Sequence, residues 1–454
     1  MGLHRGAGRN STRIQCASTT SLSEAVASKT PSMYVIRGAH LRRSARILLV
    51  LLLLSGWAGA APPPDESSKS VIAIGDVHGD FDDFVAILQH NGLIDKDHHW
   101  AGGKTTLVQL GDLLDRGPKP RDVMDLLMAL EKEAPKDGGR VESLLGNHEM
   151  MNIMGDLRYV TPENYASFTD ASSEERRKSA FKEYTNWREK HSAVLAELLQ
   201  PMEMTEAEWM ARHPAGFVEQ REAFSPKGSY GKWLRGHVAL AEINGVVFLH
   251  GGISPTVASM KLNAINSRIH DEISTFDSCK QYMVDQRLIQ PFFNLQEVTA
   301  VAQAEISAEK KSRVPSNPEL QSRLSQFLGF PGWVSVATDG PLWFRGYDQW
   351  SDVEGSSQVD KILQSFKADR VVVGHTVQKG GNIRSRFGGK VFLIDTGMLS
   401  SYYPGGRASA LEIQNNATFT AKYMDQQVVL VEPAKVSMLT GRQRESGNDR
   451  VQLN

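Results

Sequence analysis

Cysteine is nearly missing from this chain: 454 residues hold two, Cys16 and Cys279. A disulfide scaffold is therefore excluded, and so is a structural zinc site closed by thiolates. Net charge is equally scarce, with 51 Lys plus Arg against 52 Asp plus Glu. No basic field marks nucleic acid as a main partner, and no long acidic or basic tail is present. Long apolar runs are lacking except near the N-terminus, where Ile47 to Leu54 is too short to cross about 30 Å of hydrocarbon. Arg42, Arg43 and Arg46 precede that run, and Ala58-Gly-Ala60 offers small residues after it. This order is that of a secretory signal peptide, with cleavage expected after Ala60 and export to a periplasm or the exterior. An uncleaved anchor and an organellar transit extension are the alternatives. Residues 1–32 read as an over-long start or a further targeting extension. The membrane is expected to matter only through this leader, during export.

What is present is ordinary globular material, 41% hydrophobic and 23% charged, enough for a large core. Residues 61–70, "APPPDESSKS", read as a linker, a single domain is expected over 71–436, and the stretch from 437 reads as a polar tail. Within the domain, short apolar runs recur and end in glycine plus a polar residue. They are "SVIAIGD" (70–76), "TTLVQLGD" (105–112), "VESLLGNHE" (141–149), "GVVFLHGG" (245–252) and "DRVVVGHT" (369–376). Helical spacing over 82–94 and 120–134 separates the first three. The resulting β-α-β units imply an α/β fold with strand C-terminal ends along one sheet edge, where ligand sites collect. "KVFLIDTG" (390–397), "SALEI" (409–413), "ATFTAKYM" (417–424) and "QVVLVEP" (427–433) supply further strands. Polar, helix-rich insertions are expected at about 160–235 and 256–330, the first containing a helix or helix pair over 172–199. Either insertion could overhang the strand ends.

Six donors fall just after predicted strands: Asp76, His78, Asp112, Asn147, His250 and His375. A carboxylate at Asp112 can bridge two cations. Asp76, His78 and Asp112 then form one site, and Asp112, Asn147, His250 and His375 the other. Carboxylate, amide and imidazole donors suit two divalent ions such as manganese, iron or zinc. Ions paired in this way are suited to in-line displacement at phosphorus. The glycines beside the donors are read as giving tight turns. His148 is placed to protonate a leaving oxygen, Asp115 to hold its tautomer, and Arg116 to offer a planar fork to phosphate. Glu149 is read as bracing the turn around Asn147.

The series "GDVHG" (75–79), "GDLLDRG" (111–117), "GNHE" (146–149), "HGG" (250–252) and "GHT" (374–376) resembles the motifs of PPP-type protein phosphatases in the calcineurin-like metallophosphoesterase superfamily. "GNHEMMNIMGD" (146–156), "GPLWFRGY" (340–347) and "IDTGM" (394–398) are similar to its Shewanella-like protein phosphatase branch. The resemblance implies a β-sandwich flanked by helices, in α-β-β-α layers. It also implies the six metal ligands above, His148 and Asp115 as catalytic residues, and phosphate contacts from Arg116, Arg345 and Asn147. The implied substrate is a phosphorylated protein or peptide, at Ser/Thr or Tyr. "SSYYPGG" (400–406) departs from the loop of the eukaryotic Ser/Thr enzymes, and Tyr402 and Tyr403 are read as ordinary loop aromatics, the alternative being that one of them edges the pocket. A symmetrical dinucleoside tetraphosphatase is the rival enzyme, and an inactive phosphoprotein-binding scaffold the rival from another class.

Overall fold

A computed structural model describes residues 70–195, 204–311 and 317–433. The expected leader and polar tail lie outside the described residues, as does the linker apart from Ser70. Among the described residues no helix is long and apolar enough to cross a membrane.

Two sheets form the centre. The first has the order β11-β10-β9-β1-β2-β3, built from β1 (Val71–Ile74), β2 (Thr106–Gln109), β3 (Arg140–Ser143), β9 (Ser409–Gln414), β10 (Thr418–Tyr423) and β11 (Gln427–Val431). The second has the order β4-β5-β6-β8-β7, built from β4 (Leu240–Ile243), β5 (Val246–Leu249), β6 (Arg370–Val373), β7 (Arg384–Arg386) and β8 (Val391–Leu393). β1, β2 and β3 run parallel, as do β5, β6 and β8. On its other side β1 pairs antiparallel with β9, Val71 opposite Ile413.

Both faces of β1, β2, β5, β6 and β8 are buried, which is why they read as near-continuous apolar runs rather than as alternation. Val71 and Ala73 of β1 point into the layer between the sheets with Phe248 of β5 and Val372 of β6. Ile72 and Ile74 point the opposite way, into the helix-covered core with Leu249 and Val373. Across the sandwich Phe392 stacks on Phe419, centroids 4.5 Å apart and 4° from parallel. The layered fold implied by the resemblance is thus present. One expectation is corrected: the ligand-bearing strands do not share a sheet. Asp76, His78, Asp112 and Asn147 follow strands of the first sheet, whereas His250 and His375 follow strands of the second.

The helices are α1 (Phe81–His90), α2 (Pro120–Glu133), α3 (Asn147–Met154), α4 (Pro162–Ala166), α5 (Ser173–Leu195), α6 (Glu206–Arg212), α7 (Phe217–Ala223), α8 (Ser229–Arg235), α9 (Leu262–Asp285), α10 (Leu295–Lys311), α11 (Pro318–Leu328), α12 (Gly346–Gln349) and α13 (Asp352–Phe366). Asp80 caps α1 by accepting from the Asp83 amide at 3.2 Å, so the second acid of "GDVHGD" serves the helix. Within 172–195 the expected helix or pair is the single helix α5.

Two strands escaped the sequence reading. β4 joins β5 through Asn244 and Gly245, both at positive φ, a two-residue hairpin whose Asn-Gly signal was legible. β7, "RSR", is a three-residue strand at a sheet edge and carries no apolar signal.

Candidate metal centre

The C-terminal ends of β1, β2, β5, β6 and the start of α3 meet at one point between the sheets. The backbone there is unusual: His78, Asp112, Asp115, Arg116 and His375 all have positive φ, from 49° to 67°. Such conformations are costly for residues with a side chain and persist only where the surroundings enforce them. Part of that enforcement is Glu149. Its carboxylate accepts from the amides of Asp112 (2.7 Å), Leu113 (2.9 Å) and Gly146 (2.8 Å), bracing the turn as expected.

The glycines beside the donors have a different reason from the one expected. Of Gly75, Gly111, Gly146, Gly251 and Gly374, only Gly111 has a positive φ. At Gly374 a β-carbon would collide with the Asp76 carboxylate, and at Gly146 with that of Asp112. These glycines leave room for short acidic side chains.

Three histidines each have one ring nitrogen against a backbone carbonyl: His78 Nδ1 to Leu114 (2.8 Å), His250 Nδ1 to Leu110 (2.9 Å) and His375 Nε2 to Trp343 (3.1 Å). Donation there fixes the tautomer and turns the other nitrogen's lone pair inward. The freed His250 Nε2 lies 3.0 Å from the freed His375 Nδ1, 2.9 Å from Asn147 Oδ1 and 3.3 Å from Asp112 Oδ1. The freed His78 Nε2 lies 3.5 Å from Asp112 Oδ2 and 3.8 Å from Asp76 Oδ2. Inward-facing ring nitrogens amid buried carboxylates form a cradle for cations.

Two groups have metal-holding geometry, His78 with Asp112 and His148, and Asp112 with His250 and His375. Asp112 belongs to both, as expected of a bridging carboxylate. His148 completes the first group where Asp76 was expected. Asp76 lies beside it with Oδ1 accepting from the His375 amide at 2.9 Å.

The charges agree with this reading. Burial, then the neighbouring Asp395, push the Asp76 carboxyl well above its ordinary range. Burial opposes charge on His250, yet Asp112 and Asp76 outweigh it and draw the imidazole up to about 9. Burial holds His78 and His375 well below their ordinary range. The carboxylates attract positive charge to the place where the inward-facing donors converge. These donors, all oxygen and nitrogen, fit divalent ions of the borderline class.

Asp395 was not anticipated as a site residue. It follows β8, is 1% exposed, and leaves Oδ2 without a hydrogen bond. The signal was available, since "FLIDTG" repeats the pattern of strand followed by polar residue and glycine.

His148 Nδ1 sits 2.6 Å from Asp115 Oδ2. Asn152 donates to Asp115 Oδ1 (3.0 Å) and to the His148 carbonyl (3.0 Å), and itself accepts from Gln220 of α7 (3.0 Å). This is where the first insertion touches the site: it supports the His148–Asp115 pair through Asn152.

Arg116 places NH2 3.0 Å from His148 Nε2, and NH1 contacts His78 Nε2 and the Tyr403 hydroxyl. Tyr159, Tyr402 and Tyr403 surround its guanidinium at 5.4, 5.1 and 5.5 Å. Tyr402 and Tyr403 are therefore not ordinary loop aromatics but the wall around Arg116. Arg345 is exposed beside the centre, donating to the His375 carbonyl at 2.8 Å and to Thr376 Oγ1 at 3.2 Å.

Residues 69–291 match the family model for calcineurin-like phosphoesterases. An uncharacterized protein of Schizosaccharomyces pombe is 30% identical over 350 residues, 77% of this chain and 78% of that one. The chain belongs to the calcineurin-like phosphoesterases. Shewanella-like protein phosphatase 1 of Plasmodium berghei is 28% identical over 331 residues, 72% of this phosphoesterase and 67% of the relative. A solved structure of a cold-active protein tyrosine phosphatase superposes with a TM-score of 0.51 at 25% identity, covering 80% of this phosphoesterase and 79% of that chain. The phosphoesterase is a phosphatase enzyme, and its His and Asp groups can bind metal.

Proposed function

We propose that this phosphatase hydrolyses phosphomonoesters on phosphoproteins, with phosphotyrosine favoured, at a centre of two divalent ions. The observation that carries the reading is the adjacency of the shared Asp112, with its two donor groups, to the His148–Asp115 pair. Asp76, His78 and Asp112 would hold one ion, and Asp112, Asn147, His250 and His375 the other. Bound ions supply Lewis acidity and bring the pKa of water towards neutrality. The protein's own groups do the rest. Arg116 takes the phosphate oxygens by charge-assisted hydrogen bonds. Because its NH2 is 3.0 Å from His148 Nε2, a phosphate drawn to the guanidinium brings its leaving oxygen to that nitrogen. Burial opposes a proton on His148, but Asp112 and the hydrogen bond to Asp115 outweigh it and raise its pKa. His148 therefore carries the proton that the leaving oxygen takes as the P–O bond breaks, while Asp115 holds the ring in place. Water attacks phosphorus opposite that oxygen, and no covalent phosphoenzyme forms.

The aromatic wall supports the tyrosine preference. Tyr159 and Tyr402 are 39% and 50% exposed beside Arg116, flat surfaces for an aryl ester to pack on. The relatives' names, protein phosphatase and protein tyrosine phosphatase, support the same reading. Arg345, beside His375, is assigned a second phosphate contact. The test is turnover of matched phosphotyrosine and phosphothreonine peptides alongside diadenosine tetraphosphate. Phosphotyrosine is expected to lead by about tenfold or more, a gap of about 1.4 kcal/mol in barrier. Equal rates on the two peptides would remove the tyrosine preference, and fastest turnover of the tetraphosphate would overturn the protein-phosphatase reading.

A further inference from the structure

A cavity of about 520 Å³ lies between α3, α5, α7 and α9, apart from the metal centre. That volume is in the range that small-molecule sites occupy. Its walls are largely apolar, with Ile153, Val218, Phe224, Phe276 and Phe292 among them, and Arg221 reaches it.

The charges around the cavity do not cancel evenly. Arg235 is paired with Asp277 at 2.7 and 2.9 Å, and Arg176 with Glu222 at 3.0 Å. Glu183 and Lys227 are both exposed at the mouth and oppose one another. Lys280 donates to the Phe293 carbonyl at 3.2 Å, and Glu297 is near enough to act on the charges of both Lys280 and Arg221. Arg221 is left over. It is 6% exposed, its NH1 donates to the Asn152 carbonyl at 3.2 Å, and its Nε has no hydrogen-bond partner. Among the described residues it has no carboxylate in ion-pair contact. A buried guanidinium without a carboxylate in contact is expensive, and arginine is rarely so buried unless paired.

We propose that this cavity is a binding site for a small monocarboxylate with an apolar body, its acid group seated on Arg221 and its body against the phenylalanines. Arg221 and Lys280 share the single carboxylate of Glu297, so the pair asks for one further negative charge, and a planar carboxylate matches the guanidinium fork. The apolar walls exclude a wholly polar anion as the best fit. The site adjoins the phosphatase machinery, because Asn152, which Arg221 holds by its carbonyl, also holds Asp115.

The test is calorimetric titration of the full-length, metal-loaded protein with octanoate and with octanamide, its uncharged counterpart. Octanoate is expected to bind with a Kd of about 1 mM or tighter, in keeping with its size. Octanamide should bind at least about tenfold more weakly, the factor that corresponds to loss of a modest polar contact. Arg221→Met should weaken octanoate by a similar factor. Val218→Trp fills the cavity without touching the charge and should do the same, which keeps the proposal testable if Arg221→Met does not fold. No octanoate binding by wild type at about 10 mM, ten times the expected Kd, would overturn the proposal. So would equal affinity for octanamide, or unchanged octanoate binding in a folded Val218→Trp protein.

Discussion

The strand-end centre and the helical insertions solve opposite problems. At the centre, buried acids and imidazoles crowd one spot, and five non-glycine residues accept positive φ to bring them there. In the insertions, aromatic rings pack in ordinary helices, with Trp209, Tyr184 and Phe276 among the largest fully buried side chains. The first region gives up local conformational comfort for chemistry, whereas the second supplies packing that holds α3 and its histidine steady. Substitutions at the centre should therefore remove activity with little loss of fold, and substitutions in the insertions should do the reverse. Asn152, where the two meet, should show both effects in miniature.

The largest effect is expected at Asp112, which both donor groups share. Asp112→Asn should lower turnover by more than about 10⁴-fold, beyond what loss of one acid–base group gives, and should deplete both metal positions by elemental analysis. Two tightly held ions with most activity retained would break the shared-ligand assignment. Next is His148→Ala, with an expected loss of about 10²–10⁴ in kcat and little change in metal content. The loss should be greater for alkyl esters than for p-nitrophenyl phosphate, whose leaving oxygen needs no proton. An equal loss on both esters would deny His148 the role of proton donor.

A smaller effect is expected at the meeting point. Asn152→Ala should lower kcat by about tenfold with KM nearly unchanged, the size of one lost charge-assisted hydrogen bond. It should show the same dependence on leaving group as His148→Ala, only weaker. A defect confined to melting temperature would reduce Asn152 to packing alone.

The smallest effect concerns stability in the first insertion. Burial pushes the His213 imidazole down to about 4, against the opposing effect of its hydrogen bond to the Trp209 carbonyl. The unfolded chain, with an ordinary histidine pKa of about 6.5, then binds more protons than the folded protein between those values. The stabilising contribution of neutral His213 is full above about pH 6.5 and is lost as pH falls towards 4. From pH 7 to pH 5 the loss should be about 1–2 kcal/mol. Thermal melts of His213→Gln should show a flatter decline over that interval, and an unchanged slope would clear His213 of the effect.

How much could be read from the sequence follows the same division. The centre was legible because each donor stands at a fixed place, just after a short apolar strand and beside glycine. All six expected metal donors converge. Asp395 carries the same signature in "FLIDTG" and could have been found with it. That His148 also comes within reach of the spot that His78 and Asp112 face depends on side-chain direction across 36 to 70 residues, which spacing does not record. Of the wall of Tyr159, Tyr402 and Tyr403, only a tyrosine from 402–403 was offered by the sequence, as an alternative, for a related reason. An exposed tyrosine in a loop looks the same whether it faces solvent or an arginine brought from elsewhere. The Gln220–Asn152–Asp115 chain joins three separate segments, and no periodicity in any one of them announces the others.

The pairing of β1 with β9 has a bearing on how the chain comes off the ribosome. Ala73, just ahead of Asp76, lies opposite Leu411, so β1 waits for a strand made more than three hundred residues later. Until that partner emerges, β1 has an open flank on one side, and so distant a contact is slow to form. A nascent chain stalled before residue 409 would expose this flank, and a cell making this phosphatase must shield it through most of translation.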